Sequence, residues 1–151
     1  MLLPHYGVSP VHRALRQALL YSKYSIFHYK NIDGMNIDLV EVFSSLANKT
    51  RLRCLYLVAV NNDVCVCEIV AALNIPQPSA SKALNALKNV GLLSVRKEAN
   101  WNYFSLNQAM PDWACALVTS SVNGLALSPG HSADQKRFKC LDLREAELAC
   151  R

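Results

Sequence analysis

One run, NIPQPSASKALNALKNVGLLSVRKEANWNYFSL from Asn74 to Leu106, constrains this chain more than any other. Pro76 and Pro78 end any helix that precedes them, since proline lacks the amide a helix interior needs. The same residue suits a helix's first turn. Ala80, Ala83, Leu84 and Leu87 then recur at helical spacing, which predicts a helix over 79–90 with one buried face. Gly91 is placed to be its left-handed terminal residue. Beyond it the period changes to two. LLSVRKE and WNYFSL alternate about Ala99 and Asn100, the pattern of a β-hairpin.

Upstream the periodicity is helical. Ile37, Val40, Phe43, Leu46 and Ala47 make one apolar stripe, and Leu52, Leu55, Tyr56, Val58 and Ala59 make a second. Asn61, Asn62 and Asp63 break that helix, and a short one follows from about Val66 to Leu73. A last helix is expected from about Pro111 to Leu125. The predicted class is mainly α with a two-stranded β-hairpin, the element order of a winged helix-turn-helix. Three segments are expected: an N-terminal extension at 1–34, the folded domain at 35–127 and a polar C-terminal tail at 128–151, with at most a weak helix. The extension lacks the helical period of the rest, so either Met1 or Met35 is the start. Residues 1–25 have no uninterrupted apolar core and no small-residue cleavage site, so no secretory signal is expected and a cytoplasmic location is. No stretch approaches the ~20 apolar residues of a membrane span.

A net charge of +5 and a pI near 9.0 suit an anionic partner. The helix over 79–90 offers Gln77, Ser79, Ser81 and Lys82 at its first turn and Asn85 one turn on. These residue types reach phosphates or base edges from a helix N-terminus, where amides and dipole also favour a phosphate. Arg96 and Lys97 lead into the hairpin tip, where a wing meets the neighbouring backbone. Taken singly, such side chains are ordinary surface. The ordered set of short helix, proline-marked turn, Ser/Lys-faced helix, glycine and basic hairpin points to double-stranded DNA. An enzyme is not expected: there is no glycine-rich phosphate loop, Ser/His/Asp set or clustered carboxylate pair.

Six cysteines stand at 54, 65, 67, 115, 140 and 150. Their scatter through helical patterns is unlike a secreted disulfide scaffold. Cys65 and Cys67, in DVCVCEI, draw most interest. Inside a regular helix residues i and i+2 point about 200° apart and do not share an ion. They chelate together only if Cys65 lies at or before the helix start, where a lowered thiol pKa is also expected. Glu68 is expected to support the first turn rather than to ligate. Cys54 and Cys115 read as buried small hydrophobes, and His5, His12, His28 and His131 as lying outside the core.

The motifs SLANKTRLRCL, DVCVCEIVAAL, QPSASKALNALKNVGLL and VRKEANWNYFSLN, in this order, resemble the arsenical-resistance repressor family, the ArsR/SmtB type of metal sensors. The resemblance covers about Asp38 to Asn123. Ala83 and Asn100 depart from the family's usual residues in the recognition helix and the wing. The resemblance implies a homodimeric winged-helix repressor that binds operator DNA without a cofactor and leaves it when metal binds, with dimerisation through the first and last helices of this region. It also implies that Cys65 and Cys67 are inducer ligands.

Arsenite and antimonite favour three thiolates, and the family's third cysteine position holds Val70. Three completions are open: Cys140 or Cys150 (or, less favoured, Cys54 or Cys115) as third ligand, a non-protein third ligand, or a methylated trivalent arsenical needing only two thiolates. A cadmium or lead sensor of the same fold, and a thiol redox-switch regulator using Cys65 and Cys67, are the alternatives.

Overall fold

The computed structural model describes residues 37–141. The expected extension at 1–34, the choice of start and Cys150 lie outside them. Helix α1 (Leu39–Leu46) starts at Asp38, whose Oδ1 accepts from the Glu41 amide at 2.9 Å. Helix α2 (Lys49–Asn61) starts in the same way at Asn48, which accepts from Arg51 N at 3.1 Å. Each cap satisfies an amide that the first helical turn leaves over. Strand β1 (Val64–Cys65) and helix α3 (Val66–Leu73) follow, then helix α4 (Gln77–Asn89) with Pro78 in its first turn. Strands β2 (Leu93–Glu98) and β3 (Trp101–Leu106) form the hairpin, turned by Ala99 at φ 50°.

The order of three helices and a hairpin is that of a winged helix-turn-helix, but the sheet has three strands rather than two. Its order is β1-β3-β2, all antiparallel. Cys65 faces Tyr103 across one edge of β3, and Arg96 faces Tyr103 across the other. The third strand escaped the sequence reading because two residues carry no periodicity. What makes it is a pair of left-handed residues, Asn62 (φ 58°) and Asp63 (φ 49°), which swing the chain out of α2 against the free edge of β3.

Leu55, Leu57, Ile69, Leu84, Leu87 and Leu92 are all but sealed from solvent and form the centre of the core. Each such side chain contributes roughly 1.5–3 kcal/mol relative to exposure. Gly91 takes the left-handed turn out of α4 at φ 81°, and a Cβ there would stand 2.8 Å from Ile37. Any other residue would be strained at this φ and would have to push the Ile37 side chain aside.

On α1 the expected stripe does not all face inward. Val42, Ser45 and Leu46 are buried, while Leu39, Val40 and Phe43 are 51%, 74% and 52% exposed. After helix α5 (Asp112–Ala126), the segment expected to be a polar tail folds as helix α6 (Pro129–Lys139) against α2 and α3. Asp134 and Gln135 are buried there. Arg53 grips the Asp134 carboxylate with two hydrogen bonds, 2.7 and 2.8 Å, and Arg137 pairs with it as well. Asn61 and Gln135 exchange amide hydrogen bonds at 2.8 and 2.7 Å. Arg137 Nε also donates to Ala72 O at 2.7 Å. A polar helix without an apolar stripe therefore packs through paired polar groups, which hydropathy does not reveal.

Two smaller expectations change. Cys115 is exposed, while Cys54 is buried as expected. His131 packs on the core, its ring edge-on to Tyr56 with centroids 5.6 Å apart. Burial holds its pKa below the ordinary histidine value; nearby Asp134 opposes the shift, while Arg53 and Lys49 add to it. Among the described residues, no helix is long and apolar enough to cross a membrane.

Candidate functional site

Helix α4 presents two chemically distinct faces. Ala80, Ala83, Leu84 and Leu87 are buried, and the packing of α4 on α2 and α3 fixes its roll. The opposite face carries Gln77, Ser79, Lys82 and Asn85, all exposed, and half-buried Ser81. Lys88 lies exposed on the same face, seven residues after Ser81. Helical spacing alone was enough to add it to the sequence candidates. This surface is polar, cationic and a single helix wide, the form that enters a major groove.

In the hairpin, Lys97 is exposed near the tip. Arg96, also exposed, is held by two carboxylates. Its Nη2 donates to Asp63 Oδ2 at 2.7 Å, and its Nη1 pairs with Glu98. The guanidinium carbon stands 4.8 Å from the centroid of the Tyr103 ring. These two carboxylates raise the Arg96 pKa further, Asp63 first.

At the cysteine pair the backbone changes from extended to helical. Cys65 is the N-cap of α3, with extended backbone at φ −85° and ψ 162°, so Cys67 is the only one of the two inside the helix. Their side chains, 8% and 3% exposed, form a small cluster against Trp101 and Tyr103 of β3. A capping box closes around them. Glu68 Oε2 accepts from the Cys65 amide at 2.7 Å, and the Glu68 amide donates to the Cys65 sulfur. Glu68 is thus occupied by the helix start, in keeping with its expected role.

The expected lowering of the thiol pKa does not occur. Burial pushes Cys65 up to about 11, against the pull of amides donating to its sulfur; the Glu68 carboxylate pushes further up. Desolvation of a thiolate outweighs a short helix's dipole here. Cys54 is pushed up to about 12 for the same reason.

Among the described residues, no group of three His, Cys, Asp or Glu is placed to hold a metal ion. Cys140 ends α6, exposed, on a helix fastened by Asp134, so it is not the freely swinging ligand that a mobile tail would offer. Cys67 is disulfide-bonded, so its sulfur becomes a ligand only after reduction. The sequence reading missed Trp101 and Tyr103 as neighbours of the pair, although strand alternation does place them on one face.

Residues 48–95 match the family described as bacterial regulatory protein, arsR family. The arsenic resistance transcriptional regulator ArsR2 of Pseudomonas putida is 41% identical over 73 residues, 48% of this chain and 64% of that protein. The arsenical resistance operon repressor of Escherichia coli is 34% identical over 79 residues, 52% of this chain and 68% of that protein. A cadmium resistance transcriptional regulatory protein CadC homolog of Staphylococcus aureus is 32% identical over 71 residues, 47% of this chain and 59% of that protein. The chain spans just under two thirds of the Pseudomonas putida regulator. With the element order, the α4 face and these relatives in agreement, the chain belongs to the arsR family of bacterial regulatory proteins.

Proposed function

We propose that this protein is a metalloid-responsive transcriptional repressor of the cytoplasm. It binds double-stranded operator DNA as a homodimer and leaves when trivalent arsenic or antimony binds the thiols of Cys65 and Cys67. Gln77, Ser79, Ser81, Lys82, Asn85 and Lys88 face the groove, and Lys97 meets the flanking backbone. The exposed Leu39, Val40 and Phe43 of α1, with α5, supply the two-fold contact.

The observation that carries this reading is the gathering of Cys65 and Cys67 at the start of α3, the helix that leads into α4. A ligand there distorts the helix start that aims α4, and so favours a conformation with weaker DNA contact. Arsenous acid suits buried protonated thiols. Each As–OH takes up the thiol proton and departs as water while an As–S bond forms, so no free thiolate has to exist beforehand. Two such exchanges leave one arsenic substituent, a hydroxyl or a methyl group, facing Trp101 and Tyr103. The names of the relatives from Pseudomonas putida and Escherichia coli support arsenic over cadmium.

The disulfide at Cys67 favours a second reading, a thiol redox switch in which oxidation rather than a metalloid changes DNA affinity, though Cys65 is free and is not its partner, as a Cys65–Cys67 switch would require. One experiment separates the readings. A duplex selected by the reduced protein from a random pool is titrated with protein, adding arsenite, cadmium or peroxide in turn. Release by arsenite in the presence of reductant supports the metalloid reading. Release by peroxide alone overturns it in favour of the redox switch, and release by cadmium alone in favour of a divalent-metal sensor.

A further inference from the structure

One rung of the sheet joins the cysteine pair to the wing. Cys65 on β1, Tyr103 on β3 and Arg96 on β2 are successive register partners, so their side chains share a face. Tyr103 packs on the thiol pair on one side and beneath the Arg96 guanidinium, 4.8 Å away, on the other. Asp63, two residues before Cys65, accepts from Arg96 Nη2 at 2.7 Å. Asp63 and Asn62 are both held at positive φ, a conformation that side chains other than glycine adopt at a cost.

We propose that Asp63, Arg96 and Tyr103 form a latch between the thiol site and the wing, with Arg96 a positioning residue and not a resident phosphate contact. The proposal rests on Cys65 and Cys67 being the ligand site. In the free protein the Cys65 sulfur accepts from the amides at the start of α3 and lies against Tyr103. Bonding to arsenic takes the sulfur off those amides and moves the rung. Tyr103 shifts, and the Asp63–Arg96 tie carries the movement into the wing, which loses its DNA-binding pose. A phosphate contact by Arg96 would instead require giving up both Asp63 and Glu98.

The test uses the full reduced chain, the selected duplex and sodium arsenite. Asp63→Asn removes the charge while keeping a residue that tolerates left-handed backbone. It is expected to bind DNA within about threefold of the parent, because an exposed ion pair contributes little. It is expected to take up arsenite as the parent does, measured by loss of titratable thiols. The arsenite-induced fall in DNA affinity should shrink about tenfold or more. Arg96→Gln should behave likewise, and Arg96→Lys should restore part of the response.

If Arg96→Gln instead weakens DNA binding, lowers the salt slope by about one and leaves the arsenite response whole, Arg96 is a phosphate contact and the latch is wrong. An unchanged arsenite response in Asp63→Asn overturns it equally. A parent whose thiols do not react with arsenite defeats the ligand reading instead. The latch is then judged in the free protein from the anisotropy of Trp101 in a Trp113→Phe background. Greater mobility on Asp63→Asn supports the latch, and equal mobility overturns it.

Discussion

Arg53 lies across the Asp134 carboxylate, Nε to Oδ2 at 2.7 Å and Nη2 to Oδ1 at 2.8 Å, and so fastens α6 onto the helix-turn-helix. The carboxylate is 3% exposed and the guanidinium 21%. Arg53 also donates to Leu73 O at 3.2 Å, at the end of α3, so the pair ties three helices together. Removing one partner leaves the other's charge uncompensated. Asp134→Ala is expected to cost about 3 kcal/mol in urea unfolding. A loss below about 1 kcal/mol, the size of a surface pair, would show that α6 is an appendage.

The exposed stripe on α1 predicts the oligomeric state. Val40→Glu with Phe43→Glu places two charges where a second copy is proposed to sit. Sedimentation should show the parent as a dimer and the double variant as a folded monomer, since neither side chain belongs to the buried core. A double variant that stays dimeric would place the interface elsewhere.

Much of this was legible from spacing. Pro76, the apolar positions of α4, Gly91 and the alternation about Ala99 mark the helix-turn-helix and its wing, because local backbone preferences and core burial act together there. Cys65 at the head of α3 was legible too, from the break at Asn61–Asp63. What stayed hidden depends on pairing between distant positions. Strand β1 exists only against β3, Arg96 is committed by Asp63 thirty-three residues away, and α6 is held by Arg53 and Asn61. The Cys65 pKa reversed because the wing aromatics bury it, which the dipole argument did not include.

Contacts from α4 separate by their effect on salt and on sequence. Lys82→Ala should weaken binding to every duplex and reduce the slope of log affinity against log salt by about one. Asn85→Ala should change preference at one base position, by about 1–3 kcal/mol. Competition titrations at several salt concentrations measure both. An unchanged slope for Lys82→Ala would remove it from the phosphate contacts.

Acidity of the medium distinguishes the ligand class. With Cys65 pushed up to about 11, the thiol is protonated at neutral pH. A divalent cation must displace that proton, so cadmium affinity should rise about tenfold per pH unit for each such thiol. Arsenous acid carries the proton off as water, and its affinity should be nearly flat between pH 6 and 8. A steep rise for arsenite would mean that the thiolate is the reacting form.

If Cys65 and Cys67 are the switch, single serine variants lose DNA release by arsenite under reducing conditions. Serine caps a helix start at least as well as cysteine, so Cys65→Ser should keep α3 intact. Cys67→Ser carries a modest stability cost from a buried hydroxyl. Both are expected to bind the selected duplex as the parent does and to remain bound at arsenite concentrations that release the parent. Cys115→Ser and Cys140→Ser, both at exposed positions, should release normally. Release of Cys67→Ser at the parental arsenite concentration would contradict the account and place the sensor elsewhere.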